Sequence, residues 1–128
     1  MPLDQLSAIL ACALLAGLTV FQGALINGAP LGRMAWGGQH RVLPANLRIG
    51  SAVSIGLYVL FAYAALAKAN LAPPLIGESF TSVTIWVMTA YFALGVLMNA
   101  ISRSKPERLV MTPVSAALAA LYLVLALQ

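Results

Sequence analysis

The chain has 128 residues, 62% apolar and only 8% charged, at a mean hydropathy of +0.95; soluble domains keep roughly a quarter of their residues charged. This composition excludes a soluble globular domain and points to an integral membrane protein, and four spans of about 20 apolar residues each leave no length for a second domain. Seven Lys and Arg against three Asp and Glu give +4, an excess suited to anionic lipid headgroups and not to nucleic acid. The single cysteine, Cys12, excludes an internal disulfide, a CxxC pair and a cysteine-based metal centre.

The first span is expected over about residues 6–27. The preceding Met1-Pro-Leu-Asp-Gln5 carries no Lys or Arg, so it lacks the basic region of a signal peptide, and the run is expected to be retained as a span. Asp4 stands where it can cap the helix, and Asn27-Gly28-Ala29-Pro30 supplies stop signals. Residues 28–45 read as the longest loop, rich in Gly and Pro and holding Arg33, Trp36, His40 and Arg41. Trp36 reads as an interfacial anchor, with a lid over the bundle as the other reading.

Pro44 is expected in the first turn of a second helix, whose span covers about 46–68 before Asn70-Leu-Ala-Pro73-Pro74 ends it. A short connection through Gly77 and Glu78 leads to the third span, about 81–102. Ser104-x-x-Glu107 then reads as a capping box, in which Ser104 bonds the amide of residue 107 and Glu107 reaches back. The fourth span follows, about 106–127, with Thr112-Pro113 inside it as an expected bend. The expected fold is all-α: one transmembrane domain, 1–128, built as an antiparallel up-down four-helix bundle.

Basic residues in the short connections orient the bundle. Arg33, Arg41, Arg48, Arg103, Lys105 and Arg108 lie in or beside the first and third loops, against only Lys68 on the other side. Those loops are therefore expected in the cytoplasm, with both termini on the non-cytoplasmic side.

With that orientation, the polar residues within the spans gather in the cytoplasmic half. Arg48, Ser51, Ser54 and Tyr58 read as one helical stripe, and Gly95, Asn99 and Arg103 as another. One reading makes them hydrogen-bonding contacts between helices. The other is a polar cleft open to the cytoplasm, lined by Gln22, Arg48, Ser51, Ser54, Tyr58, Asn99 and Arg103 and bordered by Trp36. All three acids, Asp4, Glu78 and Glu107, are read as lying outside the hydrocarbon core.

The expected function is non-enzymatic: binding, and by extension movement, of an amphiphilic or anionic lipid-like molecule through that cleft. The alternative is a structural or accessory subunit of a larger membrane complex. The expected partners are membrane lipids, above all anionic headgroups of the cytoplasmic leaflet, with a membrane protein or a second copy as the other candidates. No cofactor and no metal are expected, because His40 has no Cys, Asp or Glu beside it in ligand spacing. An enzyme would need Arg48, Tyr58, His40 or Glu107 to converge.

Small multidrug transporters share the length and span number but rest on a glutamate within span one, which this chain lacks. Ser79-Phe-Thr-Ser82 resembles a motif of small fluoride channels but is read as preceding its span. At Gly28-Ala-Pro-Leu-Gly-Arg-Met-Ala-Trp-Gly-Gly38, Leu43-Pro-Ala-Asn-Leu-Arg48-Ile-Gly-Ser51 and Met98-Asn-Ala-Ile-Ser-Arg-Ser-Lys-Pro-Glu107 with Met111-Thr-Pro113, the chain resembles a group of small bacterial four-span membrane proteins with a Trp-Gly-Gly loop. That resemblance implies the topology and a bacterial inner-membrane location, and carries over no catalytic residue.

Overall fold

Helix α1 spans Leu3–Ile26 in the computed structural model, which describes residues 2–128. It begins earlier than its apolar run because Asp4 is inside the first turn and does not cap it; Asp4 Oδ1 accepts the Gln5 N–H at 2.8 Å. A carboxylate is stabilised there by the unpaired amides and the dipole of the helix start. The far end closes as the stop signals require. Gly28, at φ 87, lets the Gly28 N–H reach the Leu25 carbonyl and the Ala29 N–H reach the Ala24 carbonyl, the paired bonds of a Schellman motif.

Helix α2, Ala45–Lys68, starts immediately after Pro44, which is extended and serves as the N-cap. Asn70, at φ 61, takes the place of glycine in the same kind of closing motif, with bonds from Asn70 to Ala67 and from Leu71 to Leu66. Helix α3, Glu78–Ala100, starts three residues before its expected span, again because an acid is favoured in a first turn. Ser79-Phe-Thr-Ser82 therefore stands inside unbroken helix and not ahead of it. Helix α4, Lys105–Ala126, carries Pro106 in its first turn and continues through Pro113.

Among the described residues, these four helices are each long and apolar enough to cross a membrane. At most 22% of the most apolar window of any of them is buried, and Val20, Val53, Val59, Val83, Val87 and Leu94 are all more than half exposed. Helices apolar on their outward faces as well as their inward ones are built for lipid contact.

The two halves of the bundle are packed differently. The core is formed by Ala8, Ala11 and Leu15 of α1, Ala64, Ala65 and Ala69 beyond the middle of α2, Ile85, Met88 and Phe92 of α3, and Leu118, Tyr122 and Leu125 of α4. Most of these lie toward the chain termini and the second loop, while Leu15, Phe92 and Leu118 reach the middle of the bundle. Small residues in α1 and α2 let the backbones approach closely. Tyr122 is fully buried and donates to the Phe61 carbonyl at 2.7 Å, while Phe61, Tyr91, Phe92 and Tyr122 form a chain of ring contacts at centroid separations of 5.1–5.7 Å. This aromatic layer ends the packed half. Beyond it, toward the first and third loops, the helices enclose space.

Candidate functional site

The first loop is folded against the bundle by contacts distant in sequence. Two short 3₁₀ turns, Gly32–Met34 and Trp36–Gly38, shape it. The loop is held from the start of α4: the Glu107 carboxylate accepts the Gly37 backbone N–H at 3.1 Å, and the Ser104 hydroxyl donates to the Arg33 carbonyl. The expected capping box is therefore not formed. No side chain caps α4, because both of its would-be partners are engaged by the loop.

Trp36 takes a left-handed backbone, φ 52, which is strained for a bulky side chain. Its indole lies over helix α2 at Gly50, where a Cβ would come within 2.8 Å of Cζ2. A glycine is what admits the ring. Trp36 thus packs over α2 at the edge of the bundle, with 44% of it left exposed.

Beneath it lies a cavity of about 360 Å³, within the range of small-molecule sites. Leu18, Phe21 and Gln22 come from α1, Ser54 and Tyr58 from α2, and Tyr91, Phe92, Leu94, Gly95, Met98 and Asn99 from α3. Glu107, Met111, Val114, Ser115 and Leu118 of α4 complete the wall, with Met34, Ala35 and Trp36 above. Tyr91, Leu94 and Met98 line the cavity and are each more than half exposed. They are therefore the lip of a mouth on the flank of the bundle.

Polar pairs lie in its wall. Gln22 Nε2 donates to the Tyr58 hydroxyl at 3.2 Å, and Asn99 Nδ2 donates to Ser115 Oγ at 2.9 Å and to the Gly95 carbonyl at 2.8 Å. Gln22 is only 8% exposed, yet its Oε1 has no hydrogen-bond partner. An orphaned buried acceptor is costly unless something else donates to it.

A second, more voluminous groove of about 890 Å³ adjoins the cavity. Arg33, Gly37, Gly38, Gln39, Arg103, Ser104 and Lys105 border it, and it shares Trp36, Met98, Asn99 and Glu107 with the cavity.

Of the residues expected in the cleft, Gln22, Trp36, Ser54, Tyr58 and Asn99 line the cavity, and Arg103 lines the groove. Arg48 and Ser51 line neither. Arg48 Nε donates to the Leu43 carbonyl at 2.8 Å, with its guanidinium beside Gly28. Ser51 is fully buried with an unpartnered hydroxyl. Arg48 and Ser54 lie about 120° apart around the helix, which separates Arg48 from the cavity; Ser51 shares a face with Tyr58 but is sealed by packing.

Glu107 is only 7% exposed and lines both spaces, a site role that the sequence reading did not give it. The signal was present in the periodicity of α4. Counting back from Leu125 in steps of three and four through Tyr122, Leu118, Val114 and Met111 reaches Glu107. Of the residues an enzyme would need to converge, Tyr58 and Glu107 line the cavity, while His40 is exposed in the loop and borders neither space. The chain matches no protein-family model, no curated protein and no solved structure.

Proposed function

We propose that the chain is a non-enzymatic, multi-pass protein of the bacterial inner membrane that binds a lipid-like amphiphile at its cytoplasmic end. Passage of that molecule between the mouth and the groove is the extension of the same reading. The helices run up and down, with both termini on the non-cytoplasmic side. Supporting this orientation, the loops in or beside which six of the seven basic residues lie are joined to each other through Ser104 and Arg33, and a clustered basic end belongs in the cytoplasm. The resemblance to small bacterial four-span proteins supports the location.

One observation carries the binding role: Trp36, Met98, Asn99 and Glu107 border both the largely apolar cavity and the basic groove. A single molecule can therefore place its hydrocarbon in the cavity and a phosphate among Arg33, Arg103 and Lys105, whose charges attract anions. Its way in is the flank, since the lip of Tyr91, Leu94 and Met98 faces outward where the helices face lipid. Gln22, Ser54 and Asn99 supply the hydrogen bonds that hold the junction between head and tail.

Native mass spectrometry on protein purified from vesicles of mixed anionic and zwitterionic phospholipid tests this. The protein retains lipid, Ser54→Trp fills the cavity and lowers retention of every lipid, and Arg103→Ala weakens the hold on the phosphate and lowers retention as well. Undiminished retention in Ser54→Trp overturns the reading.

A further inference from the structure

The groove and cavity contain a feature that an anionic headgroup does not require. Three exposed cations, Arg33, Arg103 and Lys105, suffice to attract a phosphate, yet the space they border also holds the buried carboxylate of Glu107. A carboxylate beside an anionic ligand is repulsive, and a buried charge without a partner cation is costly. Its hydrogen-bond partner is a backbone amide, that of Gly37. A carboxylate has about four lone-pair sites, so acceptor capacity remains toward the space it lines. Glu107 therefore points to a ligand that brings a donor.

Resting on the amphiphile reading above, we propose that the headgroup recognised is zwitterionic: a phosphate held by Arg33, Arg103 and Lys105, and a primary ammonium held by Glu107. The ligand is then an aminophospholipid-like amphiphile, distinguished from purely anionic lipids by Glu107. A quaternary ammonium satisfies the charge but brings no N–H, so a choline headgroup is a poorer ligand. Glu107 also anchors Gly37, and Glu107→Gln separates the two roles. The amide oxygen of glutamine can still accept the Gly37 N–H, while the negative charge is gone.

The test uses the full chain purified from vesicles holding equal parts of ethanolamine, glycerol and choline phospholipids of one acyl composition, with retained lipid read by native mass spectrometry. A hydrogen bond to a charged group sets the expected preference for the ethanolamine lipid over the glycerol lipid at about tenfold. Glu107→Gln abolishes that preference while the Gly37 amide stays protected from exchange, and Arg103→Ala lowers retention of both lipids. Lipid retained by the unaltered protein without preference for ethanolamine overturns this inference and leaves the amphiphile reading standing, as does a preference that persists in Glu107→Gln. Retention of no lipid at all overturns the amphiphile reading itself.

Discussion

The carboxylate of Glu107, in the first turn of α4, accepts a hydrogen bond from the backbone N–H of Gly37, 70 positions earlier in the chain. That bond ties the first loop to the start of α4 and holds Trp36 over the cavity. Because Gly37 is exposed, this bond and not burial is what protects its amide. Exchange at Gly37, followed by NMR in lipid nanodiscs, should accelerate about tenfold or more in Glu107→Leu, as loss of a charge-assisted bond requires. Equal exchange rates in the two proteins would show that the loop is held by something else.

Gly50 sets two effects of opposite sign against each other. Alanine is favoured over glycine inside a helix by roughly 0.5–1 kcal/mol. A Cβ at Gly50, however, meets the Trp36 ring at 2.8 Å, and overpacking costs about 1–3 kcal/mol. The contacting atoms are the far end of a half-exposed side chain, so the ring swings aside: in a Trp86→Phe background, Gly50→Ala shifts the emission of Trp36 with little loss of melting temperature. A raised melting temperature with unchanged emission would place the indole elsewhere.

Gln22 and Tyr58 hold a buried polar pair in which one acceptor, Gln22 Oε1, is unsatisfied. Leaving a buried polar group unpaired costs about 1–3 kcal/mol, whereas replacing both partners by apolar groups of similar shape is near neutral or stabilising. The double variant Gln22→Leu with Tyr58→Phe should therefore melt no lower than the unaltered protein in lipid-free detergent. It should also retain less amphiphile. A lower melting temperature would show that the pair serves packing.

Orientation is open to a direct check. Reporter fusions after Gln128 and near Gln39 should report the non-cytoplasmic and cytoplasmic sides respectively. A cytoplasmic signal from the fusion after Gln128 would invert the assignment of the basic end.

The spans were legible because apolar runs of sufficient length have few alternatives. Helices α1 and α3 start three residues before their apolar runs because Asp4 and Glu78 interrupt the runs although a helix start favours them. Helical spacing placed Gln22, Ser54, Tyr58 and Asn99 in one half of the bundle, and the structure lines a single cavity with them. Arg48 was misplaced because four residues on a broad face do not all point to one side, and its guanidinium turns to a loop carbonyl. Glu107 was misread for a different reason. The Ser104-x-x-Glu107 pattern describes a local pairing, whereas Gly37 and Arg33 compete for both side chains from a loop whose folded position no local pattern encodes.

The central claim, that the cavity holds an amphiphile's hydrocarbon, is tested most directly at the methionine methyl groups. Met34, Met98 and Met111 line the cavity, and Met88 is buried in the core outside it. In perdeuterated protein with ¹³C-labelled methionine methyls, held in deuterated nanodiscs, a protonated monoacyl phosphoethanolamine should give intermolecular NOEs to Met34, Met98 and Met111. Met88 should show none. NOEs confined to the half-exposed Met98, with Met34 and Met111 silent, would mean that the amphiphile stays on the outside of the bundle and would contradict the claim.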